Sequence, residues 1–292
     1  MPKILLTLMV MLKLSGVYAQ QFNKSTDILL AHFDFKPDDD DVHAAAALGC
    51  MLKHTDFEGV NYYAVAGAYG IQDTIKYKFI TTVVPDFFTT LFGAEDENWT
   101  NADAHWDVSV KTVKEKVVKV LNSGGKVFVQ EAGQSDFSYD VLQAVLADGV
   151  DITTINHNVI IVQHSNWNIN NTMKLKMNWI KANVVFIKIA DGNTNNNGTP
   201  NYKSTDTLWM TRAISEENPN VLARTYWTMA ANICEQWTAY NNKAIKNGGV
   251  DFSDSVELWK IFNLGSVAND LASFWDRYVT NDLTGSINPL VF

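Results

Sequence analysis

The densest group of chemistry-bearing side chains is the run Asp34-Phe35-Lys36-Pro37-Asp38-Asp39-Asp40-Asp41. It lies between an apolar stretch, Ile28 to Phe35, and an Ala-rich stretch of helical spacing, Val42 to Lys53. Carboxylates crowded onto a strand-to-helix turn repel one another. One of them can cap the following helix, whose first turn has unpaired N–H groups and a dipole that favours negative charge. Four in a row beside Asp34 ask for more, either a cation or a bound polyol. A solvated face is the common use of an acidic run, but here the flanks are those of a core.

A second group leaves the end of another apolar run: His164, Ser165, Asn166 and Trp167. Histidine can pass a proton, and tryptophan offers a stacking surface to a sugar or base ring. A hydrogen-bonded structural histidine and a rim or core aromatic are equally good readings. Glu131, Gln134 and Asp136 could bind hydroxyls, although Asp136 is as well placed to cap a helix. Asp191, Asn193 and Asn195 suit a polyol, and suit a turn better. His43 lies one helical step from the acidic run, within reach of Asp39 or Asp40, and a structural use is the plainer one. The chain has no Gly-x-Ser-x-Gly elbow, no phosphate-binding Gly-rich loop ending in Lys-Ser/Thr and no His-Glu-x-x-His.

These groups depend on a regular scaffold. Apolar, β-branched runs recur at Ile28 to Phe35, Gly59 to Ala66, Lys126 to Gln130, Val159 to Gln163 and Val184 to Ile189. Between them lie segments of helical spacing: Val42 to Lys53, the region around Ile75 to Phe92, Trp106 to Leu121, Tyr139 to Leu146 and Met173 to Ala182. The alternation predicts an α/β fold with a mainly parallel sheet flanked by helices. From about Asp206 the text turns helical and rich in Trp, Ala and Leu, with no clear further strand. Ligands of open parallel sheets bind outside the carboxyl ends of the strands. The segments leaving those ends, 36–41, 67–70, 131–136, 164–168 and 190–201, are all polar or Gly-rich, and are expected to line one site.

With these residues in place, the acidic run resembles the signature of the nucleoside hydrolases (the inosine/uridine-preferring superfamily), a strand ending in Asp-x-Asp-Pro-Gly-x-Asp-Asp before an Ala/Leu helix. Asp34, Pro37, Asp40 and Asp41 match it. Further segments resemble the family in order: Phe57 to Gly67, Lys126 to Asp136, Val159 to His164, and Asn269-Asp270-Leu271-Ala272 beside its late His-Asp-Pro-Leu-Ala. The resemblance implies a hydrolase cleaving an N-glycosidic or related glycosidic bond. Asp40 would activate water, Asp41 and Asp270 would hold calcium, and Asp34 would buttress the turn. His164 would be a replacement acid, and Glu131, Gln134, Asn166 and Trp167 would meet the substrate. Lys36 falls on a family calcium-ligand position, Asp38 on its glycine, Ala68 on its ribose-binding asparagine and Asn269 on its late histidine. Three arrangements follow: Lys36 points away while Asp38 or Asp39 substitutes, its ammonium replaces the metal between Asp41 and Asp270, or the site is inactive. A non-catalytic sugar- or nucleoside-binding protein with a degenerate metal site is the alternative function.

Bulk properties frame these readings. The 292 residues carry a net charge of -9, which argues against nucleic acid or an anionic membrane as partner; the partner that the hydrolase resemblance implies is a small-molecule substrate, a nucleoside or glycoside. Lys3, the apolar Ile4 to Leu12 and the small residues Ser15 to Ala19 read as a signal peptide over 1–19. The remainder, 20–292, would be a single secreted or periplasmic domain without a membrane anchor. Cys50 and Cys234 could form one bridge or remain buried thiols. Asn23, Asn98, Asn170 and Asn197 each begin a glycosylation pattern, which is short and common.

Overall fold

The computed structural model describes residues 21–70, 84–164, 166–237 and 242–281. The expected signal segment, residues 75–83 of the second helical segment and Ser165 lie outside them. Six strands, β1 (Ile28–Phe33), β2 (Tyr62–Ala66), β3 (Trp99–Asn101), β4 (Val127–Ala132), β5 (Val159–Gln163) and β6 (Val185–Lys188), form one sheet in the order β3-β2-β1-β4-β5-β6. Every pairing in it is parallel. The expected α/β class is therefore the observed one. Chain direction across the sheet reverses between β1 and β4, and an open parallel sheet leaves its ligand crevice at such a switch point.

Strand alternation sends side chains into two separate cores. Leu29, Ala31 and Phe33 of β1 face one, and Ile28 and Leu30 face the other. The first core lies under α1 (Asp40–Lys53), α2 (Val84–Phe92), α9 (Val221–Gln236) and the C-terminal helices. Four consecutive alanines, Ala44 to Ala47, are fully buried in α1 and let neighbouring backbones approach closely. The second core lies under α3 (Trp106–Asn122), α4 (Asp136–Ala147), α5 (Ile152–Asn158) and α7 (Lys174–Asn183).

Several elements depart from expectation. Trp99–Asn101 adds a three-residue strand, and Asn166–Asn171 forms a short helix, α6, where a loop was expected. The C-terminal part is helical, with α8 (Leu208–Ile214), α10 (Lys243–Lys246), α11 (Val256–Ile261) and α12 (Leu271–Phe274), but is not free of strand. β7 (Lys203–Ser204) pairs antiparallel with β8 (Val250–Asp251). No helix among the described residues is long and apolar enough to cross a membrane. Cys50 and Cys234 are both buried free thiols.

Candidate functional site

The acidic turn is held by its own backbone. Phe35 takes a left-handed conformation (φ 54°), uncommon for a bulky side chain. Its N–H donates to Asp41 Oδ2 at 2.6 Å, and the Lys36 N–H donates to Asp34 Oδ1 at 3.0 Å. Strain of this kind persists only where surrounding contacts over-determine the turn, and it is concentrated at functional sites. The turn opens into a cavity of about 570 Å³ lined by Asp34, Lys36, Pro37, Asp38, Asp40, Asp41, Ala132, His164, Trp167, Asn168, Asp191, Asn193, Ser253 and Asp254. Four of the five expected segments contribute to this wall. The Gly67–Gly70 segment does not, since Gly67 and Tyr69 line a small void behind Asp34.

Asp40, Asp41 and Asp254 each bring a carboxylate oxygen to within 4.8 Å of the other two. Asp254 reaches this position because Gln130 Nε2, from β4, donates to its carbonyl at 2.8 Å. Glu257, one turn further on, accepts the backbone N–H of His164, the residue just after β5, at 2.9 Å. Gly192 lets the next loop close on this turn, because a Cβ there would stand 2.7 Å from the Ser253 carbonyl oxygen.

Charge in the cluster is under-compensated. Burial first, then repulsion from neighbouring carboxylates, raises Asp40 and Asp41 well above the usual carboxylate range; burial does the same at Asp254, where the attraction of His164 opposes it and Glu257, Asp34 and Asp251 add to it. Burial pushes Asp34 to about 7, against hydrogen bonds from Asp41 and the Lys36 N–H and the attraction of the Lys36 ammonium. Asp39 rises to about 6, mainly through burial. Asp41 Oδ1 and Asp34 Oδ2 are buried without a hydrogen-bond donor, a state natural interiors rarely leave unexplained.

His164 stands at the other wall. Its Nδ1 is 2.5 Å from Glu257 Oε1, and its Nε2 is 3.4 Å from Asp254 Oδ1 and 3.9 Å from Asp191 Oδ1. Burial opposes a charged ring, but Glu257, Asp254 and Asp191 together raise it to about 10. Trp167, 41 % exposed, lines the cavity on the same side.

The remaining expected residues fall elsewhere. Asp270 is exposed and caps α12, accepting the Ser273 N–H at 2.7 Å, so it is not a wall of the cavity. Asp254, and not Asp270, is the late aspartate that meets Asp40 and Asp41. Glu131 is on the opposite face of β4, as its spacing from Val127 and Val129 requires. It is fully buried, 3.1 Å from His32 Nδ1, and accepts from Ser138 Oγ at 2.5 Å. Gln134 accepts the Gly70 N–H at 3.0 Å and fastens two loops together. Asn166 is exposed and accepts from Lys188. The Lys36 ammonium lies over the Tyr69 ring, 3.7 Å from its centroid, close enough to Asp34 and Asp103 to favour their ionised forms. His43 accepts the Asp251 N–H at 3.3 Å and does not meet Asp39 or Asp40. Asp136 accepts the Met173 N–H at 3.3 Å, inside the first turn of α4.

Asp254 and Glu257 were not singled out by sequence. Their one local signal is Ser253-Asp254-Ser255 ahead of an apolar helical pattern, which reads as a cap.

No family model matches the chain, and no curated protein or solved structure is significantly similar to it.

Proposed function

We propose that the protein is a hydrolase of an N-glycosidic or related glycosidic bond, exported by way of residues 1–19 and acting on a nucleoside- or glycoside-sized substrate. The nucleoside hydrolases are its mechanistic parallel. The observation that carries this reading is the meeting of Asp40, Asp41 and Asp254 beneath a cavity of about 570 Å³ at the switch point of a parallel sheet. That volume suits a small ligand. The donors are hard oxygens, and the orphaned Asp41 Oδ1 is the kind of buried atom a calcium ion would satisfy. Asp41 and Asp254 would hold the ion, with Asp40 beside them. When bound, calcium supplies the positive charge that keeps these carboxylates ionised and polarises hydroxyl or water oxygens near it.

The chain's own groups do the rest. Asp40, half-buried at the cavity wall, takes the proton of a water whose oxygen attacks the anomeric carbon. The bond to the leaving group breaks, and the sugar passes through an oxocarbenium-like state that the surrounding carboxylates stabilise. His164 faces the departing group with Nε2. Trp167 offers its ring to the substrate.

Sugar release from a panel of purine and pyrimidine nucleosides and p-nitrophenyl glycosides tests the reading. Asp40→Asn is expected to lose about 10³-fold in kcat while ligand still raises Tm. If the wild type gains Tm from these ligands and releases no sugar, the site binds without catalysis and the hydrolase proposal falls.

A further inference from the structure

Glu257 has no part in the reaction just described, yet it makes the shortest contact at the site. One of its oxygens, Oε1, meets a single residue twice: it accepts the backbone N–H of His164 at 2.9 Å and stands 2.5 Å from the ring Nδ1, which donates to it when Glu257 is ionised. Its side chain is wholly buried and lies behind the cavity wall. Burying a carboxylate in this way is costly unless its partner is fixed and charged. An apolar residue would join α11 to β5 at lower cost, so the pairing calls for an explanation beyond packing.

The geometry supplies one. Two bonds from one carboxylate oxygen fix both the backbone and the ring of His164 and direct the Nδ1 proton inward. Nε2 is then the nitrogen on the cavity side, beside Asp254 and Asp191. Asp254 sits three residues before Glu257, so one short segment supplies both a wall of the acidic cluster and the anchor of the histidine. A histidine ring whose inner nitrogen is held by a carboxylate has a defined outer nitrogen, and a substrate atom meets that nitrogen in one orientation.

We propose that Glu257 is a positioning residue that presents His164 Nε2–H to the leaving group and thereby decides which leaving groups the site can expel. This rests on the hydrolase reading. In the step, the bond from the anomeric carbon to the leaving atom breaks, its electron pair stays with that atom, and the atom takes the Nε2 proton. The water oxygen bonds to the anomeric carbon and its proton goes to Asp40. Solvent then removes one proton from Asp40 and returns one to His164. Leaving groups that are strongly basic as anions, such as purines, pyrimidines and alkoxides, need this donor. p-Nitrophenolate, stable as an anion, does not.

The test compares a nucleoside with p-nitrophenyl riboside in the wild type, Glu257→Gln and Glu257→Ala. Glu257→Ala is expected to lose about 10²-fold in kcat on the nucleoside, with KM little changed, and under about threefold on p-nitrophenyl riboside. Glu257→Gln, whose carbonyl can still accept both hydrogens, should recover much of the loss. Equal losses on both substrates would mean a merely structural role and would overturn the proposal. Nitrogen-15 spectra of the histidine rings give a readout independent of turnover. His164 Nδ1 should be protonated and hydrogen-bonded in the wild type and lose that signature in Glu257→Ala, and a bare Nδ1 in the wild type overturns the proposal. A wild type inactive on both substrates sinks the hydrolase reading and the leaving-group role with it. An active wild type whose variants do not discriminate between leaving groups sinks the role of Glu257 alone.

Discussion

Asp254 and Asp270 are both acidic residues of the C-terminal part, and only one lies in the cavity wall. The difference is in their anchors: Gln130 and the Glu257–His164 pair draw the turn of Asp254 onto the sheet, while Asp270 is used up by Ser273. No local pattern could have distinguished them, because what decides the matter is tertiary. The acidic run, by contrast, was legible, since a strand, a turn and a helix start are contiguous in sequence. Calcium at about 100 times its Kd should stabilise the wild type by about 2.7 kcal/mol. Asp254→Asn should abolish most of that gain in a thermal melt and Asp270→Asn should keep it; the reverse result would return Asp270 to the site. The pH dependence without added cation has a definite sign. Asp34 and Asp39 titrate near 7 and 6 in the folded chain, both raised from 3.8 mainly by burial, so the folded state binds more protons than the unfolded one between about pH 4 and 7. Their contribution is complete below about pH 4 and is lost as pH rises through 6 to 7. Urea titrations at pH 5 and 8 should show this contribution as a deficit at pH 8 that calcium removes.

The principal elements were legible for the same reason that they form. Buried parallel strands need β-branched runs, and Val159–Gln163 lies where its apolar run places it. The three-residue Trp99–Asn101 and the two-residue β7 and β8 carry too few residues to show a period. Glu131 is the fifth residue of β4 and not the first of the loop, so strand alternation points it away from the cavity. The loop after β4 also depends on Gly133. A Cβ there would stand 2.7 Å from the Ala68 carbonyl oxygen and 2.8 Å from Asp34 Cβ. Gly133→Ala should therefore cost about 1–3 kcal/mol in urea unfolding, as overpacking does, and should lower calcium affinity by displacing Asp34. Unchanged stability would mean that the loop relaxes freely.

On the scale of the whole chain, the C-terminal helices close over α1 and complete the larger core. Arg277 Nε and Nη2 reach Asp56 at 2.7 and 2.9 Å, tying the last described turn to the segment after α1. Burial works against the Asp56 charge, but hydrogen bonds from His54 and Arg277 hold the carboxyl well below its ordinary value. Its stabilisation is therefore full above about pH 4 and is lost as pH falls further. Asp56→Ala should cost about 3 kcal/mol at pH 7 by removing the buried carboxylate that pairs with the Arg277 guanidinium, and the gap from wild type should shrink in acid. A gap independent of pH would assign the loss to packing.

Asn242 bonds to Asp38 across 204 positions of sequence and to Asp251 beside it. Ribosomes deliver the amino-terminal aspartates long before that asparagine exists. A nascent chain must therefore carry its charge-crowded bend unfinished until nearly all of it has been made, and any fragment that stops short of residue 242 ends without the clasp that shapes the acidic hollow.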